Sequence, residues 1–456
     1  MQQHKFVPCH RMYAIALFFA AVLTSGANCA AAPPAGVRFS EMTLNNGLRI
    51  ILSEDHNAPV VSINVTYDVG SRNEKPGRTG FAHLFEHMMF KGSANVGPGE
   101  HFYQVFTNGG NMNGTTSADR THYFETLPAN QLELALFLEA DRMHSLVINQ
   151  ANLDNQRNAV QEERRQSMDN QPYGKGNEIF AELIYDGFPY KHLTIGSMQD
   201  LNAATIEDIE QFFRTYYAPN NAVLSVVGNF KSKQAVAQIK RYFGPISRQP
   251  TPPPVDMSEP RQTTERRQTV PDPLARLAQL RIAFKAVPGN TADFYALQVL
   301  SSVLQNGQSS RLYQSLVQGK ALVTDISTQM DERRGVGAFY VSAMILPGKK
   351  AEEVEAAIYE EIARLQQERI AEWELQKAAN GARLNYLNMI RSSQARASLL
   401  SFYKIYYNDP NLLNTRLRKF KAVTRADIRR VAQRYLQPAN RTVVLIAPQI
   451  NIAPKA

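Results

Sequence analysis

Residues 204–225 read ATIEDIEQFFRTYYAPNNAVLS, and residues 423–444 read VTRADIRRVAQRYLQPANRTVV. Thr205/Thr424, Asp208/Asp427, Ile209/Ile428, Tyr216/Tyr435, Pro219/Pro438 and Asn221/Asn440 are identical at a constant offset of 219 residues. Chance rarely holds one register through six identities. Each copy predicts a helix capped by threonine, stopped by proline and followed by a β-rich strand. The offset is close to half of the 456 residues, so the chain reads as two homologous halves. Between them, the segment 247–273 carries Pro250, Pro252, Pro253, Pro254, Pro260, Pro271 and Pro273 in a polar background, which predicts an extended linker. The halves then span 36–246 and 274–450.

Residues 1–32 differ from the rest. Lys5 and Arg11 precede an apolar run from Met12 to Leu23, and small residues end in Ala30, Ala31 and Ala32. This is the pattern of a cleaved secretory signal peptide, and the run is short for a membrane span. A secreted or periplasmic chain with no stable membrane span after cleavage is expected. Cys9 and Cys29 are the two cysteines and both lie inside this segment, so the mature chain is expected to have neither disulfide nor thiolate ligand. The net charge of +9 loses two positive charges with the signal. No block of basic residues accompanies it, so the basicity reads as solvated surface and no nucleic-acid partner is expected.

In the first half, Asn46-Gly47 joins two β-like runs as a hairpin, and residues 60–69 form a further strand. A helix begins near Gly80, extended segments follow over 111–127, and residues 128–146 and 152–168 are helical in pattern. Hairpins mixed with long helices indicate an α+β class. Each of two homologous domains is then a mostly antiparallel sheet packed by helices.

The sharpest local signal is His83-Leu84-Phe85-Glu86-His87. On a helix, His83 and His87 project from one face of adjacent turns, with Glu86 bordering it. Two imidazoles so placed can bind one Zn²⁺, and the carboxylate beside them can take a proton from water. This is the inverted zinc motif H-x-x-E-H. A catalytic zinc site needs a third protein ligand. The later segment Gln161-Glu162-Glu163-Arg164-Arg165 offers one. By pattern alone, though, Glu162 and Glu163 read more readily as an exposed acidic pair matched by Arg164 and Arg165.

H-x-x-E-H, a glutamate on a second helix with 75 residues between it and His87, a Gly109-Gly110-Asn111-Met112-Asn113 stretch between them and two homologous halves together resemble the pitrilysin-type zinc metallopeptidases. The size is similar to the shorter members that pair two chains, related to mitochondrial processing peptidase. The resemblance implies His83, His87 and Glu163 as ligands of one zinc per chain, with Glu86 as general base. It selects Glu163 over Glu162. Family members carry a supporting glutamate seven residues before the third ligand, and here that position is Gln156. The stretch around Asn113 and Gly114 matches a family edge strand to which an extended peptide adds. His122, further on, reads as a hydrogen-bonding neighbour rather than a ligand.

One departure is equally informative. The family's second half supplies an arginine and, seven residues on, a tyrosine that hold substrate and stabilise the developing oxyanion. Alignment puts Val317 and Thr324 at those positions. Arg311 and Tyr313 belong to the packed helix before them. The resemblance therefore implies a zinc-bearing peptidase subunit acting on extended, unfolded peptides. A homologous zinc-free chain would supply the pair, giving a heterodimer, with a homodimer as the alternative. A non-catalytic scaffold or peptide-binding subunit on the same fold is the competing reading.

Overall fold

The structure, a computed structural model, describes residues 36–449, and the expected signal segment with Cys9 and Cys29 lies outside the described residues. Asn46-Gly47 turns β1 (Ser40–Thr43) back onto β2 (Arg49–Glu54), with Gly47 at φ 92° and Asn46 Nδ2 donating to the carbonyls of Phe243 and Ile246. With β3 (Val60–Tyr67), β4 (Asn111–Thr116), β5 (Thr121–Pro128) and β6 (Ala222–Gly228) they form a six-stranded sheet ordered β1-β2-β6-β3-β5-β4. β2 and β6 run parallel and every other neighbouring pair antiparallel. β4 is thus an edge strand. The helices of this half are α1 (Phe81–Met88), α2 (Glu100–Thr107), α3 (Leu132–Ser145), α4 (Gln150–Arg164), α5 (Gly174–Ile184), the short α6 (Phe188–Lys191) and α7 (Met198–Asn202), α8 (Ile206–Tyr216) and α9 (Ser232–Phe243).

The second half repeats this plan. Strands β7 (Arg266–Asp272), β8 (Gln279–Lys285), β9 (Val323–Met330), β10 (Ala338–Ile345) and β11 (Arg441–Pro448) form a five-stranded sheet ordered β7-β11-β8-β10-β9. Its helices are α10 (Ala292–Leu304), α11 (Ala351–Gln367), α12 (Glu372–Met389), α13 (Ser393–Tyr407), α14 (Leu412–Lys421) and α15 (Arg425–Tyr435). The repeated segments are α8 and α15 with the strands after them, and the shared residues explain themselves. Thr205 with Asp208, and Thr424 with Asp427, build matching capping boxes. Asn221 Nδ2 donates to the Tyr216 carbonyl at 2.8 Å, and Asn440 Nδ2 to that of Tyr435 at 2.7 Å, closing each helix onto its strand. The α+β class with two homologous sheet-and-helix domains is the observed architecture.

The expected linker is not structureless throughout. Residues 247–265 carry no helix or strand, but β7 takes 266–272 into the second sheet, parallel to β11. Pro271 is tolerated because β7 is an edge strand, where a missing N–H removes no ladder bond on the open side.

Each sheet packs one face on helices of its own half, forming the two large cores. The opposite face is covered by a helix from the other half. α13 lays Ala397, Leu400 and Tyr403 on Ile51, Val223 and Val227 of the first sheet. α5 lays Phe180 and Ile184 on Ala283, Val444 and Ile446 of the second. α5 and α13 begin at 174 and 393, so the exchanged helices are themselves equivalent in the repeat. α5 lies so close to β11 that a Cβ on Gly176 would collide with Ile446.

Candidate metal centre

α1 buries Phe81, Ala82, Leu84, Phe85 and Met88, which leaves His83, Glu86 and His87 on its remaining face. Its first turn is fixed by Glu74, whose carboxylate accepts from the amides of Gly80 at 3.0 Å and Ala82 at 2.8 Å. A carboxylate there satisfies orphan N–H groups and meets the positive end of the helix dipole. His192 Nε2 lies 2.9 Å from the same carboxylate. Burial pushes the Glu74 carboxyl above its ordinary range, against the His192 contact and the helix amides that hold it down.

α4 packs beside α1 and begins at Asn149, whose side chain accepts from the Asn152 amide at 2.9 Å. Its buried face carries Leu153, Gln156, Val160, Gln161 and Arg164. Arg164 ties the helix end to Glu178 at 2.8 Å. Glu163 turns toward α1, with Oε2 3.3 Å from His87 Nε2 and 3.7 Å from His83 Nε2. Glu162 faces solvent and is held by Arg165 at 3.1 Å and Gln166 at 2.9 Å. The choice left open by the sequence pattern is thus a difference of one residue's direction on α4.

The three groups fit a zinc ion. Two ligands about 2.05 Å from a tetrahedral centre stand about 3.3 Å apart, and the observed separations approach this. Burial and the neighbouring His87 push His83 down to about 4, so it is a neutral imidazole with a free lone pair at neutral pH. Burial also lowers His87, opposed by the Glu163 charge and a hydrogen bond with Gln156. Gln156, two turns before Glu163 on α4, is buried and donates to Asn155 Oδ1 at 2.5 Å.

Glu86 stands on the same face of α1. Thr116 Oγ1 donates to its Oε2 at 2.5 Å. Burial raises the Glu86 pKa, Thr116 opposes this, and the Glu163 charge adds to it. Gly114 is placed where a Cβ would come within 3.1 Å of Glu86 Cγ and of the Tyr123 ring. Asn113 is exposed, with Oδ1 accepting from the Gly114 amide at 2.9 Å. Thr116 escaped the sequence analysis, although strand alternation from Gly114 puts it on the same face. Glu74 and His192 carried no local signal, since each acts through a tertiary contact.

A second group, His101, Glu125 and Glu139, also brings ligand atoms together. Arg142 occupies that cluster, with Nε donating to Glu139 Oε2 at 3.0 Å and its guanidinium lying 4.3 Å from the Tyr123 ring centre. A fixed guanidinium repels a cation, so this is a buried structural network. His122 lies on the opposite face of the sheet from α1, 3.1 Å from Asn64 Nδ2, and is not among the converging ligands. Val317 packs on the second core and Thr324 is exposed on β9, while Arg311 grips Glu374 of α12 at 2.7 and 2.9 Å.

Residues 49–192 match Insulinase (Peptidase family M16), and residues 203–382 match the Peptidase M16 inactive domain. The chain is 31% identical over 417 residues to zinc protease PqqE of Helicobacter pylori, covering 90% of this chain and 93% of that one. The chain belongs to peptidase family M16, the pitrilysin family. The crystal structure of a protease from Helicobacter pylori superposes with a TM-score of 0.87 at 31% identity, covering 91% of this chain and all of the other. The first half of the periplasmic protease PqqL of Escherichia coli shares the fold, with a TM-score of 0.73 at 18% identity over 91% of this chain and 93% of the other. The M16 match covers the half that holds His83, His87 and Glu163, and the inactive-domain match falls mainly on the half that lacks them. An M16 chain with this His/Glu cluster is a zinc metallopeptidase.

Proposed function

We propose that this M16 chain is the zinc-bearing subunit of an exported endopeptidase that cuts extended, unfolded peptides. One observation carries the reading: His83, His87 and Glu163 converge while Glu86 stands beside them in contact with edge strand β4. His83, His87 and Glu163 would hold one zinc, with Gln156 supporting His87. When bound, the zinc supplies Lewis acidity that lowers the pKa of water and polarises the scissile carbonyl.

The chain's own groups do the rest. The unpaired N–H and C=O groups of β4, around Asn113 and Gly114, hold the peptide as an added strand. Thr116 fixes Glu86 through Oε2, leaving Oε1 to take a proton from the attacking water. Glu86 then passes that proton to the nitrogen of the leaving amine. Val317 and Thr324 cannot stabilise an oxyanion, so a homologous zinc-free chain supplies the Arg/Tyr pair in a heterodimer. A homodimer is the second reading of the assembly. The signal-like residues 1–32, with the periplasmic location of the PqqL protease, support a secreted or periplasmic site of action. Among the described residues no helix is long and apolar enough to cross a membrane.

The purified chain should contain about one zinc by elemental analysis, kept in Glu162→Gln and lost in Glu163→Gln. Glu86→Gln should keep the zinc and lose peptide turnover by roughly 10²–10⁴-fold. Undiminished turnover in Glu86→Gln refutes the peptidase assignment. Full activity of the isolated chain refutes the need for a partner.

A further inference from the structure

The two faces of β4 look into different surroundings. Gly114 and Thr116 face Glu86. Asn113 and Thr115 face the other way, in register with Phe124 and His122 of β5. That second face belongs to α13: Asn64, in register with Phe124, donates to Ser398 at 3.2 Å, and Ser62 meets Ser393 at 2.8 Å. Beside α13 the face opens into a cavity of about 560 Å³, lined by Arg120 and His122 and, across from them, by Gln298 of α10, Gln305 just after that helix, and Asn385 and Tyr386 of α12.

The charge in this cavity is unbalanced. Glu332 and Arg416 neutralise each other at 2.6 Å. Burial and the nearby Arg120 push His122 well below its ordinary pKa, so it is neutral. Arg120 makes no direct ion pair with a carboxylate among the described residues, and the Glu86 charge acts on it from beyond contact distance. Its Nη1 donates to the Thr115 carbonyl at 3.1 Å and to Thr115 Oγ1 at 2.8 Å, which ties the guanidinium to the edge strand itself. A peptide added to β4 sends alternate side chains to the two faces, one set toward Glu86 and the other toward Arg120.

We infer that the cavity beside Arg120 is a side-chain subsite for a carboxylate, so that extended peptides bearing Asp or Glu on the α13 face are preferred. The inference rests on the peptidase reading, because it needs a strand on β4. Polar groups of α10 and α12 complete the subsite, so the second half takes part in selecting substrate. A guanidinium and a carboxylate brought together in a partly water-excluded cavity form a charge-assisted hydrogen bond, stronger than a neutral one.

Three fluorescent peptides, identical except for a central Glu, Gln or Lys, are titrated by anisotropy against the zinc-loaded full chain carrying Glu86→Gln, which stops turnover. The Glu peptide should bind about tenfold tighter than the Gln peptide, and the Lys peptide more weakly than either. Adding Arg120→Gln should bring Glu and Gln within about twofold, whereas Arg120→Lys should retain most of the preference. Asn385→Asp, an exposed change that puts a competing carboxylate into the cavity, should also reduce it and does not depend on how the Arg120 variants fold. A Glu preference that survives both Arg120→Gln and Asn385→Asp comes from carboxylate binding at the zinc and overturns the inference, as does equal binding of Glu and Gln peptides. Failure of all three peptides to bind overturns this inference, while the peptidase reading is tested separately by the zinc content and peptide turnover of the Glu86 parent.

Discussion

His83, His87 and Glu163 on one side, and His101, Glu125 and Glu139 on the other, are two histidine–carboxylate groupings in the same half. Their neighbours decide what each can do. The first opens from a helix face, and among the described residues no Lys or Arg is paired with its ligand atoms, so their lone pairs remain for a metal. The second surrounds Arg142 and is sealed from solvent. There burial lifts the Glu125 carboxyl to about 8, against the pull of Arg142, while burial and Arg142 push His101 down to about 3. Between the ordinary value of 4.5 and about 8, the folded chain keeps a proton on Glu125 that the unfolded chain releases. This group's contribution to stability is therefore full below pH 4.5 and falls as pH rises, by about 1.4 kcal/mol per unit across that window. Glu125→Gln, neutral at every pH, should be less sensitive than the parent to a shift from pH 5 to pH 8. Thermal melts at the two pH values measure this, and an equal loss in both proteins contradicts it. The two clusters also differ in how far they can be read from sequence. His83, Glu86 and His87 lie on adjacent turns, so local spacing carries them. Glu162 and Glu163 are neighbours on one helix, and only the packing of α4 against α1 turns one toward the histidines and the other toward Arg165.

The face of α1 that carries His83, Glu86 and His87 depends on where the helix starts, and Glu74 sets that point. Its carboxylate is buried against two helix amides and His192, so Glu74→Ala would leave the two amides without a partner and His192 Nε2 with only the Ser71 carbonyl. The expected cost is about 2–4 kcal/mol of stability. Because the freed first turn carries His83, zinc affinity should fall in the same variant. Chemical denaturation and competition with a chelator measure the two effects, and unchanged zinc affinity in a destabilised protein would show that the cap does not position the ligand helix. At this scale periodicity located α1, β3, α3 and α4 well, because each has a clear apolar face or run. It missed β7. Prolines in a polar stretch suggest a linker, and only the vacant edge of the second sheet converts residues 266–272 into a strand.

Across the whole molecule, the repeat foretold two similar halves but not that they exchange helices. An amphipathic pattern shows that α5 and α13 each have a face to bury; it does not say on which sheet. The exchange makes the halves mutually dependent, since separating them would uncover Ile51, Val223 and Val227 on one sheet and Ala283, Val444 and Ile446 on the other. Polar contacts cross the same boundary: Arg334 pairs with Asp68, the Arg334 amide donates to Asp119 Oδ2 at 3.1 Å, and the Gly335 amide donates to Tyr190 Oη at 2.9 Å. The two halves should therefore unfold as one cooperative unit despite their separate cores. Calorimetry should give a single transition whose calorimetric and van't Hoff enthalpies agree. Leu400→Asp, which places a charge where α13 meets the first sheet, should lower that transition and reduce amide protection in strands of both halves by hydrogen exchange. Two resolved transitions, or protection lost only around the first sheet, would mean that each half holds its fold without the helix it receives.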